Sequence, residues 1–270
     1  MKGNMWIFAT LSLLLCWMMP FDSMAVPLDA KKRIPLSMGE NSVDDMYFGC
    51  KKEMENLVKD TLFPKEKYVI QSEKDWSITR SLVKKKFDWR KDKDLTMGHI
   101  TAICIYTAEN VYKRFNTAVR TERSIYRSMF QYHSLHYLLT SAIQILNSNY
   151  HCHSTFRRTK DIYTGKVNQK IRFGSFTSTS YKPNLTHFGK KTCFKIKTCL
   201  GAFLKSYSFF NEQEAEVLIP PYETFIITNI LNEKQVKMKG LEDCDVVFVL
   251  ESLGVESNLN CMKFKFHYKS

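Results

Sequence analysis

Apolar positions recur at helical spacing in the first half of this chain and at strand spacing in the second. From Tyr132 to Asn147, Leu135, Leu138, Leu139, Ala142, Ile143 and Leu146 define one apolar face, which predicts a helix. Met97 to Val119 predicts another, with Ile100, Ile103, Cys104 and Thr107 on one side, and Met46 to Leu62 predicts a third, shorter one. Beyond these, Phe194-Lys195-Ile196-Lys197 alternates like a half-buried strand. Val217 to Ile219, Phe225 to Leu231 and Val246 to Leu250 are β-branched or aromatic runs. Gly165 suggests a turn between two strands over about 155–162 and 167–173. Helices first and strands afterwards predict an α+β fold, with an N-terminal helical part packed on a mostly antiparallel β core.

The run Glu212-Gln213-Glu214-Ala215-Glu216, followed directly by Val217-Leu218-Ile219, breaks this pattern with alternating acids. In a strand, residues two apart share a face, so Glu214 and Glu216 are expected side by side. Two readings fit: an acidic loop that ends where a strand begins, or a pair of carboxylates that handles positive charge and protons.

The N-terminus reads as a secretory signal peptide over 1–25. Lys2 precedes an apolar stretch from Trp6 to about Met19, and Ser23-Met24-Ala25 is a small-x-small cleavage site. The remaining 26–270 reads as one domain, without a linker or repeat. The end, Phe264 to Ser270, carries no hydrophobic tail, so the expectation is a released, secreted protein without a stable membrane anchor. A formal net charge of +13 favours anionic partners. The lysines are dispersed, apart from Lys84-Lys85-Lys86 and a few smaller clusters, and no nucleic-acid module is present, so nucleic acid is not an expected partner.

Eight cysteines become seven once Cys16 leaves with the signal peptide. In an oxidising compartment most should pair, and at least one thiol is left over. Cys104, inside the apolar run Ile103-Cys104-Ile105, is the best candidate for an inert buried thiol. No CxxC or HExxH spacing suggests a metal site, and no glycine fingerprint suggests a P-loop or dinucleotide-binding domain. Asn184-Leu185-Thr186 is an N-glycosylation acceptor.

Three segments occur in a particular order: Cys152-His153-Ser154-Thr155-Phe156-Arg157, then Arg172 to Ser180 with its Ser178-Thr179-Ser180 end, then the Glu214-x-Glu216 run. Val43 to Cys50, Tyr106-Thr107-Ala108, Phe115 to Arg120 and Asn260-Cys261 accompany them. Together they resemble the Arg–Ser-Thr-Ser–Glu-x-Glu signature of the arginine-specific ecto-ADP-ribosyltransferases, over nearly all of 26–270. The resemblance implies two sheets that form an NAD cleft, and transfer of ADP-ribose from NAD to protein arginine, with NAD hydrolysis as a side reaction.

The residue types suit that chemistry. A guanidinium holds a pyrophosphate bidentately, and Arg157 matches the family's arginine. Cleavage of the nicotinamide–ribose bond passes through an oxocarbenium-like state that a carboxylate stabilises, and Glu216 matches the catalytic glutamate. Free arginine stays protonated at neutral pH and is a poor nucleophile. Glu214 matches the carboxylate that orients the acceptor guanidinium and takes its proton. Ser178 matches the serine that positions Glu216 and the ribose. Tyr106 and Ser208 match positions that contact NAD, Phe209 and Phe210 match an aromatic against nicotinamide or target, and Asn116 is a weaker candidate of the same sort.

The resemblance also pairs Cys50 with Cys261 and Cys152 with Cys199, which leaves Cys193 and Cys244 available for a third bridge. One departure stands out. The family usually has glycine after the arginine, and here Arg158 follows. A long cation there either crowds the site or adds a phosphate contact. Two rival readings share the fold: a secreted NAD glycohydrolase, or a catalytically weak binding protein.

Overall fold

A computed structural model of the protein describes residues 33–70, 73–87 and 92–261. The signal-peptide segment, Cys16 and the tail after Cys261 lie outside the described residues. All of the described residues belong to one compact unit, Lys32–Ser270.

Helices fill the first half, as the 3.6-residue spacing predicts. They are α1 (Lys51–Leu57), which runs through a π turn at Val58–Leu62 into α2 (Phe63–Ile70), then α3 (Glu73–Lys86), α4 (Met97–Thr107), α5 (Glu109–Thr121) and α6 (His133–Leu146). The helix expected over Tyr132–Asn147 matches α6, with those two residues as its caps. The helix expected over Met97–Val119 is two helices, because Ala108 is extended (φ −77°, ψ 134°). Thr107 sits at this break. Its hydroxyl donates to the Ile103 carbonyl (2.8 Å) and accepts from the Phe209 amide (2.7 Å), so a long-range bond fixes the end of α4. At the other end, Thr96 and His99 form a reciprocal capping box.

The strands are β1 (Arg33–Pro35), β2 (His153–Thr159), β3 (Ile162–Thr164), β4 (Lys170–Ile171), β5 (Thr177–Ser180), β6 (Thr192–Thr198), β7 (Ala202–Phe203), β8 (Glu216–Ile219), β9 (Glu223–Asn232) and β10 (Val246–Val255). An eight-stranded sheet has the order β4-β9-β10-β6-β2-β5-β8-β7, and β1 and β3 form a separate parallel pair. Pairing is mostly antiparallel, with β10 and β6 parallel. Strands β2 and β5 share a single register pair, Phe156↔Ser180, whereas β2 and β6 share seven. The sheet therefore parts into two halves at β2 and β5.

Gly165 does not turn a hairpin. The strand before it, β3, pairs with β1, and β4 pairs with β9. A Cβ at Gly165 would stand 2.8 Å from Ile227 Cδ1, so packing rather than turn geometry calls for glycine there.

The helices pack on the β5–β8–β7 half of the sheet through a core that includes Ile103, Phe115, Leu139, Phe176, Leu204 and Leu218. A second core lies between β1 and β3 and the other half, around Phe194, Phe225, Ile227 and Phe248. Cys50–Cys261, Cys152–Cys199 and Cys193–Cys244 are bridged, and Cys104 is the free, buried cysteine among the described residues. Burial pushes the Cys104 thiol up to about 11, which keeps it protonated and inert.

Two of the motif segments meet through an ion pair away from the acidic run. Asp44 and Arg172 form a fully buried ion pair at 2.5 Å. Asp44 also accepts from the Asn258 and Leu259 amides, and Arg172 donates to the Met38 and Glu256 carbonyls. This pair joins the N-terminal segment, β4 and the segment after β10. Removing one partner of such a pair leaves a buried, uncompensated charge. Arg172→Met is expected to lower unfolding stability by about 3–5 kcal/mol in denaturant titrations.

Candidate active site

A cleft of about 850 Å³ opens where β2 and β5 part, a volume typical of small-molecule sites. Arg157, Ser178, Glu214 and Glu216 all line it, and so do Tyr106 and Phe210. The sequence places these residues far apart, and the strand order brings them together.

Arg157 is on β2, and its Nη1 donates to the Ser178 carbonyl on β5 (2.7 Å). This bond spans the gap beside the single register pair. In the Ser-Thr-Ser element, Thr179 donates to the Val217 carbonyl (2.8 Å) and Ser180 to the Glu214 carbonyl (2.5 Å). Two of its three hydroxyls thus hold the acidic segment against β5.

Glu216 is the first residue of β8, paired with Ser180, and is buried. Burial raises its carboxyl to about 7. Hydrogen bonds from Ser178 and Ser208 favour the charged form, the nearby Glu214 charge opposes it, and Arg157 favours it. The Ser208 hydroxyl lies 3.0 Å from Oε2. Glu214 is not in the strand. Ala215 has φ +45°, so the chain turns between the two acids and they do not share a strand face. The cleft, rather than strand alternation, brings both carboxylates to one ligand.

Three expected contacts are engaged within the protein. Ser208 is fully buried and is not part of the cleft lining, because its hydroxyl is held on Glu216. Tyr106 forms part of the cleft wall, but its hydroxyl donates to the Phe176 carbonyl (3.0 Å) and its ring packs edge-on against Phe115 and Phe176. Asn116 acts on Tyr106, donating to its hydroxyl at 3.1 Å. Phe209 and Phe210 meet edge to face at 5.3 Å, and Phe210 faces the cleft.

Arg158 also lines the cleft, but its guanidinium is turned into the wall and engaged there. Its side chain is 2% exposed, and its five N–H donors are all engaged. Nε donates to the Pro183 carbonyl, Nη1 to the Gly189 carbonyl and Asp243, and Nη2 to the Gly240 carbonyl and Asp243 (2.6 Å). The guanidinium holds the Asp243 carboxyl below its usual range. It ties the segment from Pro183 to Gly189 to the loop that carries Cys244. That segment supplies Leu185, His187 and Phe188 to the cleft wall. Gly189 has φ +126°, and a Cβ there would stand 2.5 Å from Thr159 backbone, so the wall approaches β2 too closely for any side chain.

Sequence reasoning missed this wall, and also Tyr112 and Lys113 on α5 and Lys182 after β5. Only the position of β2 against α5 and the segment after β5 reveals them. Among the described residues, no group of three or more His, Cys, Asp and Glu side chains gathers to hold a metal ion.

A parted mixed sheet with an arginine on one lip and a buried glutamate on the other is the ADP-ribosyltransferase fold and cleft. The crystal structure of the eucaryotic mono-ADP-ribosyltransferase ART2.2 superimposes with a TM-score of 0.65 at 31% identity, covering 85% of this chain and 99% of that one. A mutant of that enzyme has been solved in complex with NAD. A profile described as NAD:arginine ADP-ribosyltransferase matches residues 36–243. Human ecto-ADP-ribosyltransferase 4 is 37% identical over 220 residues, which span 73% of this chain and 66% of that protein. Human GPI-linked NAD(P)(+)–arginine ADP-ribosyltransferase 1 is 33% identical over 259 residues, spanning 87% of this chain and 76% of that one. The chain belongs to the NAD:arginine ADP-ribosyltransferase family.

Three outcomes follow from this geometry. With ionised Glu216 as the expected working form, the free protein's kcat/KM for NAD should rise with pH through about 7 and level off above. Ser208→Ala removes a donor to that form and should move the midpoint upward in the same pH profile. Replacing Arg158 with glycine, the family's usual residue, should weaken NAD binding by about tenfold in calorimetric titration, since the cleft wall loses its anchor.

Proposed function

We propose that this protein transfers ADP-ribose from NAD to arginine side chains of extracellular proteins and releases nicotinamide. The observation that carries this reading is Glu216, buried in the cleft but held by two serine hydroxyls, with Glu214 and Arg157 around it. NAD, when bound, supplies a sugar–nicotinamide bond that breaks with positive charge developing on the sugar carbon.

The protein's residues meet the needs of that reaction in turn. Arg157 binds the pyrophosphate, and its bond to the Ser178 carbonyl orients it. Glu216 places a fixed negative charge beside the sugar carbon, in a site where low polarity strengthens the attraction. Ser178 and Ser208 keep that carboxylate charged and in place. Glu214, at the end of the loop before β8, receives the acceptor guanidinium and takes its proton. Water in place of arginine gives NAD hydrolysis.

The rival of a catalytically weak binding protein drew its motive from Arg158 as an obstacle to NAD. With that guanidinium built into the cleft wall, the motive is gone. Presence of Glu214 in the same cleft as Glu216 favours transfer over hydrolysis as the main activity.

The extracellular setting is supported by three disulfides, which persist in oxidising compartments. Removal of the segment 1–25, release into the medium and a glycan on the exposed Asn184 belong to the same proposal. Mass spectrometry of the protein recovered from medium and membrane fractions tests all three.

The direct test of function is transfer of labelled ADP-ribose from NAD to agmatine or polyarginine. Glu216→Gln should lower both transfer and hydrolysis by about 10²–10³-fold. Glu214→Gln should lose transfer while retaining much of the hydrolysis, because only the guanidine needs that proton acceptor. Equal loss of both activities in Glu214→Gln would contradict the separate roles.

A further inference from the structure

The basic run Lys84-Lys85-Lys86 ends α3, and its members have different fates. Lys84 and Lys85 are exposed, whereas Lys86 is partly buried and turned into the protein. Its ammonium donates to the Ser206 carbonyl (2.6 Å), the Ser208 carbonyl (2.7 Å) and Asn211 Oδ1 (2.5 Å). These three contacts match the three donors of an ammonium. Loss of hydration lowers its pKa from the usual lysine value.

All three acceptors lie in the loop between β7 and β8. No strand pairing runs through this loop, and Lys205, Asn211 and Ala215 have positive φ, so it is held by side chains from outside, Thr107, Ser180, Lys182 and Lys86 among them. It carries Phe210 into the cleft and ends at Glu214. Glu216 shares one tie with this loop, the Ser208 hydroxyl, but it is also held by its register against Ser180 in the sheet and by Ser178.

We infer that Lys86 is a positioning residue for the acceptor side of the site: it locks the loop that sets Phe210 and Glu214, so that a guanidinium rather than water reaches the sugar carbon. The inference rests on the transferase reading above. When the loop loosens, Glu216 keeps its sheet register and its Ser178 bond, whereas Phe210 and Glu214 are carried by the loop itself. Releasing the loop should therefore change the partition between the two acceptors, not simply the rate.

The test measures ADP-ribosyl-agmatine formation and NAD hydrolysis in the same reaction for wild type, Lys86→Met and Asn211→Ala, with thermal unfolding alongside. Lys86→Met is expected to lower the transfer-to-hydrolysis ratio by about tenfold, a displacement on the order of 1 Å being worth up to about 10²-fold. Asn211→Ala removes one of the three contacts in an exposed loop and should shift the ratio in the same direction by a smaller factor. If Lys86→Met does not fold, Asn211→Ala decides. An unchanged ratio, including one in which both activities fall in parallel, overturns the inference while leaving the transferase reading intact. A wild type that hydrolyses NAD but modifies no agmatine or polyarginine defeats that reading first and this inference with it.

Discussion

The site depends on a break in backbone hydrogen bonding. Strand β2 is fully paired with β6 on one side, yet meets β5 on the other at a single register pair. If β2 and β5 zipped together along their length, the sheet would be continuous and there would be no cleft. The parted lips still carry backbone groups that need partners, and the protein meets that need with side chains. Arg157 bonds the Ser178 carbonyl across the gap. The guanidinium proposed to hold a pyrophosphate is thus also a stitch between the two halves of the sheet.

Buried charge is handled in two different ways in this molecule. Asp44 with Arg172, and Arg158 with Asp243, are paired directly, and all five Arg158 donors have acceptors. Such groups fasten chain segments that share no sheet register. Glu216 instead has hydroxyl donors but no direct ion-pair partner, so burial, with a smaller push from the nearby Glu214 charge, raises its proton affinity to about 7. That leaves a carboxylate whose charge is incompletely satisfied by the protein, which is the state needed to attract positive charge on a substrate. A complete set of partners would make a better anchor and a poorer catalyst.

The loop before β8 shows how far one motif reaches. Its backbone is held by Lys86 from the end of α3, by the Thr107 hydroxyl at the break between α4 and α5, and by Lys182 through the Gln213 carbonyl. Thr107 comes from a helix that periodicity alone assigns to packing, and Lys86 from a basic run that the sequence marks only by its charge. The helix break at Ala108, which the apolar spacing of Met97–Val119 does not show, is where one of these anchors sits.

Much of the architecture was legible in the sequence because local patterns control it. The apolar stripe of α6, the β-branched runs of β9 and β10 and the alternation of β6 reflect burial on one face or two, which the spacing of side chains records directly. The acidic run and the Arg–Ser-Thr-Ser segments marked the lips of the cleft. Strand order was not legible, because pairing partners are chosen by three-dimensional closure. Hence β3 joins β1 rather than β4, and Gly165 leaves room for close packing by Ile227 rather than serving a turn. Side-chain direction at the site also waited on the fold. A left-handed Ala215 separates Glu214 from the strand of Glu216, Ser208 turns inward to Glu216, and Arg158 turns into the cleft wall. The sequence alone determined which chemical groups the protein owns and which stretches bury them. Only the tertiary structure decided which groups share a cavity and which are already engaged with each other, because hydrogen-bond partners and desolvation depend on segments that are distant along the chain.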